Sequence, residues 1–135
     1  MSRLLDTNVL LDILTADPKW GAWSRQQFKA AHSEGLLPVN PVLYAELAAH
    51  FDSVEDLDHF LRPSLFKRLP LPYEAGFRAS RAFLDYRRAG GSRTAPLPDF
   101  YIGAHAELAG FTLVTRDVAR YRTYFPKVKL ITPEN

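Results

Sequence analysis

The chain has 135 residues and a mass of 15.3 kDa, enough for a single domain over residues 1–135 and too little for two of ordinary size. Hydrophobic residues make up 47% and aromatics 13%, so a substantial core can be buried and intrinsic disorder is excluded. Cysteine is absent, which excludes disulfides, thiolate zinc and a cysteine nucleophile, and a net charge of +2 only weakly favours an anionic partner.

In chain order, Arg3, Leu4 and Leu5 predict a short apolar strand. Thr7 and Asn8 then supply capping residues for a helix whose apolar positions are Val9, Leu10, Leu11, Ile13 and Leu14. After the Asp17-Pro18 break, Trp20, Trp23, Phe28 and Ala31 recur at helical intervals, and Gly35 ends that helix. Residues 36–39 predict a second strand. Asn40-Pro41 is a helix start signal, an N-cap followed by proline in the first turn, for a helix to about residue 50. Ser53, with Glu55 and Asp56, opens another that Pro63 limits. Residues 67–69 predict a third strand. Residues 73–89 predict an amphipathic helix built on Phe77, Ala79, Ala82, Phe83 and Tyr86, stopped by Gly90-Gly91. The loop over residues 91–96 is expected to be the most mobile part. Pro98 opens a helix to about residue 109 with Gly110 as its cap, and residues 112–115 form a β-branched strand. Residues 121–124 predict a short helix and residues 128–131 the last strand. Arginines gather at two places, Arg87, Arg88 and Arg93 around the glycine pair and Arg116, Arg120 and Arg122 near the C-terminus.

Strands alternating with helices, and too apolar to leave a face in water, imply an α/β fold with a largely parallel sheet covered on both sides. An acid at position 6 precludes a leader-like apolar run, and no later run approaches the ~20 residues of a membrane span, so a soluble cytoplasmic chain with no membrane contact is expected.

In such sheets ligands collect beyond the carboxyl ends of the strands, which singles out the acids placed there. Asp6 directly follows the first strand, and Asp117 follows the strand at 112–115 after one residue. Either could simply cap the helix behind it. Glu46 has Val42, Leu43, Ala49 and His50 as helical neighbours, so it puts a carboxylate on a largely apolar face, where an unpaired acid is rare. Asp99 lies in the first turn after Pro98, with Ile102 and Gly103 one turn on; it serves either the helix dipole or a site. Four acids aimed at one place repel, by ~4 kcal/mol per pair at ~4 Å and an effective dielectric near 20, so something positive must sit among them. His32, His50, His59 and His105 are too widely spaced to form a helical metal pair. With no thiolate, oxygen donors favour Mg²⁺ or Mn²⁺. Such ions serve phosphoryl chemistry, and with no Ser-His-Asp set and no glycine-rich phosphate loop, water is the expected nucleophile.

The segments Asp6-Thr7-Asn8-Val9-Leu10-Leu11, Ala45-Glu46-Leu47, Leu97-Pro98-Asp99-Phe100-Tyr101-Ile102 and Leu113-Val114-Thr115-Arg116-Asp117 resemble the PIN-domain ribonucleases, and within them the VapC-type toxins of bacterial toxin-antitoxin pairs. The resemblance spans essentially the whole chain. It implies a three-layer α/β/α sandwich around a five-stranded, mainly parallel sheet. It also implies a Mg²⁺- or Mn²⁺-dependent endoribonuclease, usually a homodimer, silenced by a cognate VapB-type antitoxin. Carried over by position, Asp6, Glu46, Asp99 and Asp117 become the catalytic and metal-binding residues, Asp6 and Asp99 as direct ligands and the other two completing the cluster or acting through water. Asn8 and Thr115 would fix the Asp6 and Asp117 carboxylates by hydrogen bonds, and Arg116 would contact the scissile phosphate or point to solvent.

The expected reaction is in-line attack of water on an unpaired RNA, leaving a 5′-phosphate and a 3′-hydroxyl, with arginines countering backbone charge. Phe100, Tyr101 and Tyr121 are either base-stacking platforms or core. Residues 53–67 match no functional motif and are candidates for a dimer or antitoxin interface. Two other readings compete. A dehalogenase-like Mg²⁺-dependent phosphatase would need a second acid where Asn8 stands, and an inactive α/β interaction module would keep the acids only as caps.

Overall fold

The computed structural model describes residues 2–91 and 97–133; all but the first residue of the loop expected over 91–96 lies outside them. Among the described residues the strands are β1 (Arg3–Leu5), β2 (Leu37–Val39), β3 (Phe66–Arg68), β4 (Thr112–Val114) and β5 (Leu130–Ile131). The helices are α1 (Thr7–Leu14), α2 (Gly21–Ser33), α3 (Pro41–Ala48), α4 (Val54–Phe60), α5 (Tyr73–Arg88), α6 (Leu97–Ala109) and α7 (Val118–Tyr124). The last of these begins three residues before the start expected from the Tyr121-to-Tyr124 pattern, because the turn after β4 ends at Asp117.

All paired strands are parallel, with Leu4 opposite Leu113, Leu113 opposite Leu130 and Pro38 opposite Lys67. The five-stranded sheet that the resemblance implies is not continuous: β1-β4-β5 form one ladder and β2-β3 another. Strand β2 explains the break. Leu37 N donates to Leu65 O at 2.9 Å and Val39 O accepts from Leu69 N at 2.8 Å, so both residues turn their backbone groups toward β3. The residue between them, whose groups face the β1 side, is Pro38, and it has no N–H to give. Strands β1 and β2 therefore lie side by side without a ladder between them.

Every residue of β2 and β4 is buried, as strands covered on both faces require. The helix starts follow their residue types. Asn40 Oδ1 accepts from Leu43 N at 2.9 Å with Pro41 in the first turn, and Ser53 Oγ accepts from Asp56 N at 3.1 Å. The core near the C-terminal helices is aromatic. Phe100 lies 5.5 Å from the rings of both Phe83 and Tyr86, 5.8 Å from Tyr124 and 6.2 Å from Phe125, tying α5, α6 and α7 together. Gly103 makes this packing possible, since a Cβ there would come within 2.5 Å of the Phe125 ring. Arg78 forks onto Glu107 at 2.8 and 3.3 Å and donates to Tyr124 O at 2.8 Å, clamping the same three helices. With Phe100 anchored inward, its neighbour Asp99 is carried to the rim of the strand ends.

His105 is buried against Phe111, and its Nδ1 lies 2.9 Å from Asn40 Nδ2. Asn40 already uses its carbonyl as the cap of α3, so its amide donates and the imidazole accepts. Burial lowers the His105 pKa, which keeps the ring neutral as that bond requires. It packs rather than ligates, in line with its isolated spacing.

Candidate functional site

The carboxyl ends of β1 and β4 lie side by side because Asp6 N donates to Val114 O at 2.9 Å, and Thr115 N donates to Ile131 O at 3.0 Å to hold the end of β4 against β5. Asp6 is 3% exposed. Its Oδ1 accepts from Thr7 N at 2.8 Å, capping α1. Its Oδ2 accepts from Thr115 Oγ1 at 2.8 Å, Tyr121 OH at 3.2 Å and Asn8 Nδ2 at 3.3 Å. Capping and site roles thus coexist in one residue. Thr115 Oγ1 also accepts from Asp117 N at 3.0 Å, fixing the turn that presents Asp117, whose side chain makes no cap bond to α7.

Glu46 reaches the same place from α3: its Oε1 accepts from Thr7 Oγ1 at 2.6 Å. Tyr121 OH donates to Asp99 O at 3.4 Å as well as to Asp6, linking α6 to the end of β1. Arg120 Nη1 makes a short ion pair with Asp99 Oδ2 and a second with Asp117 Oδ2 at 3.0 Å. The four acids named from the sequence therefore come from four separate segments to one edge.

Their electrostatics reflect that gathering. Burial pushes the Asp6 carboxyl up to about 6, against the pull of the Thr115, Thr7 and Tyr121 hydrogen bonds, and the nearby Glu46 charge adds to the rise. Asp99 is pushed up to about 7, by burial first and then by the Asp6 charge, with Arg120 opposing. The Tyr121 hydroxyl is raised well above its ordinary value by burial and by Asp6 and Asp99, so it stays a donor. Two carboxyls raised by burial and by one another's charge at one edge mark a candidate functional site.

Among the described residues, no three of His, Asp or Glu already converge as a group that could hold a metal ion. Where the residue types predict acids meeting around an ion, a guanidinium sits between two of them. The donor chemistry nonetheless suits a hard divalent cation. It is all oxygen, Asp6 and Glu46 have no ion-pair partner among the described residues, and the raised carboxyls would ionise on gaining a cation.

Arg116 is turned elsewhere than a scissile phosphate. Its Nε and Nη2 fork onto Asp12 at 2.9 and 3.0 Å, with the guanidinium over the Trp20 ring at 5.3 Å, while its backbone N–H donates to Asn8 Oδ1 at 3.3 Å. Asp12 is buried and also accepts from Ser24 Oγ at 2.8 Å. Sequence reasoning missed Asp12, although a lone acid in Val9-Leu10-Leu11-Asp12-Ile13-Leu14 carries the same signal that singled out Glu46. Asp12→Ala leaves a part-buried guanidinium unpaired and is expected to cost about 1–3 kcal/mol of stability, measured by urea unfolding.

Phe100 and Tyr121 are fully buried and not available to stack on bases, the second because its hydroxyl serves the acids. Thr7 is legible in sequence only as a capping residue, Arg120 only as one of a basic cluster and Tyr121 only as a stacking or core aromatic: it is the fold that brings Thr7 to Glu46 and, one turn after Asp117, Arg120 and Tyr121 to Asp99 and Asp6.

A family model described as "PIN domain" matches residues 3–126. Among solved structures, the chain is similar to one titled "Crystal structure of VapBC2 from Rickettsia felis bound to a DNA fragment from their promoter", at 17% identity and a TM-score of 0.72, covering 98% of each chain. It is similar to a "Toxin-antitoxin complex from Klebsiella pneumoniae" at 20% identity and a TM-score of 0.72, again covering 98% of each chain. The "Crystal Structure of FitAcB from Neisseria gonorrhoeae" follows at 20% identity and 0.71, covering 98% of this chain and 99% of that one. No curated protein matches the sequence. The matched span holds all four acids and nearly every element, and the chain belongs to the PIN domain family.

Proposed function

We propose that this protein is a VapC-type toxin: a divalent-cation-dependent endoribonuclease, held in check by a cognate VapB-type antitoxin. The observation that carries the reading is the gathering of Asp6, Glu46, Asp99 and Asp117 at the carboxyl ends of β1 and β4, two of them with carboxyls raised by burial and by neighbouring charge, within a PIN domain. PIN domains are generally nucleases, and similar folds occur in structures titled as toxin-antitoxin complexes. The protein is read as a single domain over residues 1–135, cytoplasmic, and a homodimer. Among the described residues no helix is long and apolar enough to cross a membrane.

Asp6 and Asp99 would hold Mg²⁺ or Mn²⁺ directly, with Glu46 and Asp117 completing the set. The cation would supply the charge that acidifies water and offsets that of the phosphodiester. The chain's own groups do the positioning. Thr7 N–H and the Thr115, Tyr121 and Asn8 donors hold the Asp6 oxygens in one orientation, and Thr7 Oγ1 does the same for Glu46. Asp117 is presented by the Thr115 turn. Water attacks the phosphorus in line, leaving a 5′-phosphate and a 3′-hydroxyl on the cut RNA. Arg116 orients Asn8 through its backbone N–H, while its guanidinium is held by Asp12.

Purified protein incubated with labelled single-stranded RNA is expected to cleave it with Mg²⁺ or Mn²⁺ and to lose all cleavage in EDTA. Equal cleavage under both conditions removes the cation from the reading. Absence of cleavage together with no saturable Mn²⁺ binding leaves an interaction module.

A further inference from the structure

We infer that Arg120 is the resident counter-ion of the acid cluster, holding the cation's place between Asp99 and Asp117 and yielding it when a divalent ion binds. Once released, its guanidinium takes a phosphate oxygen of the substrate. The inference rests on the cation-site reading above and deepens it.

Three arginine pairs in the same molecule allow the comparison. Arg78 grips Glu107, and Arg116 grips Asp12, each through Nε and Nη2 together, the two-pronged geometry that suits a carboxylate. Arg120 does not. It spends a single nitrogen, Nη1, on both Asp99 and Asp117, and its Nε is buried with no hydrogen-bond partner. Arg78 and Arg116, also part-buried, clamp with the fork, whereas the single-nitrogen pairs of Arg68 and Arg88 lie at the exposed surface; Arg120 is part-buried, answers charge with one nitrogen and leaves a buried donor unspent. Its charge lies 5.9 Å from the Phe100 ring, so it is lodged over the aromatic core at the foot of the site.

A second cation cannot join Asp99 while Arg120 keeps its place, because like charges a few ångströms apart repel strongly in a half-buried setting. Arg120 stays tethered one turn into α7 when it moves, within reach of whatever anion the metal brings. A phosphodiester presents paired oxygens that match the unused fork.

The test is Mn²⁺ binding by calorimetry on the full chain. Arg120→Gln is expected to bind Mn²⁺ about tenfold more tightly than wild type, the competing charge being gone. Arg122→Gln, which removes an exposed charge from the same helix, should stay within about twofold because solvent and salt screen it. At saturating Mn²⁺, Arg120→Gln should cleave single-stranded RNA at least about tenfold more slowly, having lost the phosphate contact. Unchanged or weaker Mn²⁺ binding by Arg120→Gln, or equal tightening by Arg122→Gln, overturns the counter-ion role. Full cleavage by Arg120→Gln overturns the hand-over. No Mn²⁺ binding by any form refutes the cation site itself, a separate result. A second measurement needs only wild type, with Arg120→Lys to assign the signal. The Arg120 Nε–H resonance should shift as Mg²⁺ is added while those of Arg78 and Arg116 stay put; an unmoved Arg120 signal at saturating Mg²⁺ counts against displacement.

Discussion

Asp99→Asn is expected to lower RNA cleavage by a factor on the order of 10² to 10³ while leaving the circular dichroism spectrum unchanged. The fold is spared because α6 is anchored by Phe100 and Gly103, neither of which depends on the Asp99 carboxylate. Activity is lost for two reasons. The amide is a far poorer donor to a hard cation than a carboxylate, and Arg120 keeps only Asp117 as a charged partner. Mn²⁺ affinity should fall with cleavage, and bacterial growth arrest on expression should disappear with both. A variant that retains wild-type cleavage would show that the half-buried carboxyl at the start of α6 is incidental to the chemistry.

Asp6→Asn should do the opposite to stability and the same to activity. Asp6 titrates near 6 in the fold and near 3.8 ordinarily, chiefly because burial disfavours its charge. Between those values the folded protein binds more protons than the unfolded chain, so this group lowers stability as pH rises through that window. The penalty is absent below about pH 4 and complete above about pH 6, where it reaches about 3 kcal/mol. Asparagine never ionises, but it offers one acceptor oxygen where aspartate offers two: with its carbonyl toward Thr115, Tyr121 and Asn8, its amide faces Thr7 N–H and the α1 cap is lost, at about 1 kcal/mol. In EDTA at pH 7.5 the variant should therefore unfold at higher denaturant than wild type, by about 2 kcal/mol, the relieved charge less the lost cap, and the gain should vanish near pH 4. His105 works in the other sense: burial lowers its pKa, so its contribution is present at neutral pH and lost as pH falls. It is common to both proteins and cancels in the comparison. Excess Mn²⁺ should reverse the order at pH 7.5, since only wild type keeps the charged ligand. A wild type more stable than Asp6→Asn in EDTA at pH 7.5 would mean the buried charge is satisfied by something other than a cation. Stability held back for chemistry is the usual state of such sites.

Much of this was written in local residue patterns. Asn40-Pro41 and Ser53 start helices as their side chains dictate, and the short runs at residues 3–5, 36–39 and 112–115 hold the strands Arg3–Leu5, Leu37–Val39 and Thr112–Val114. These are decided within a few residues, by capping bonds and by apolar faces that must leave water. The acids too were legible, because a carboxylate beside apolar neighbours or just past a strand needs a reason. What the chain alone could not disclose is how segments over a hundred residues apart lie against one another. Thr115 donates to Asp6, Tyr121 joins Asp6 to α6, and Arg116 turns to Asp12 because tertiary packing sets those distances. The same holds for the divided sheet, where a single proline matters only once it faces β1. Arg120 is the clearest case. Its position in sequence is that of any surface arginine on a short helix, and only the folded arrangement, by crowding negative charge at the strand ends, draws it into the middle of the site.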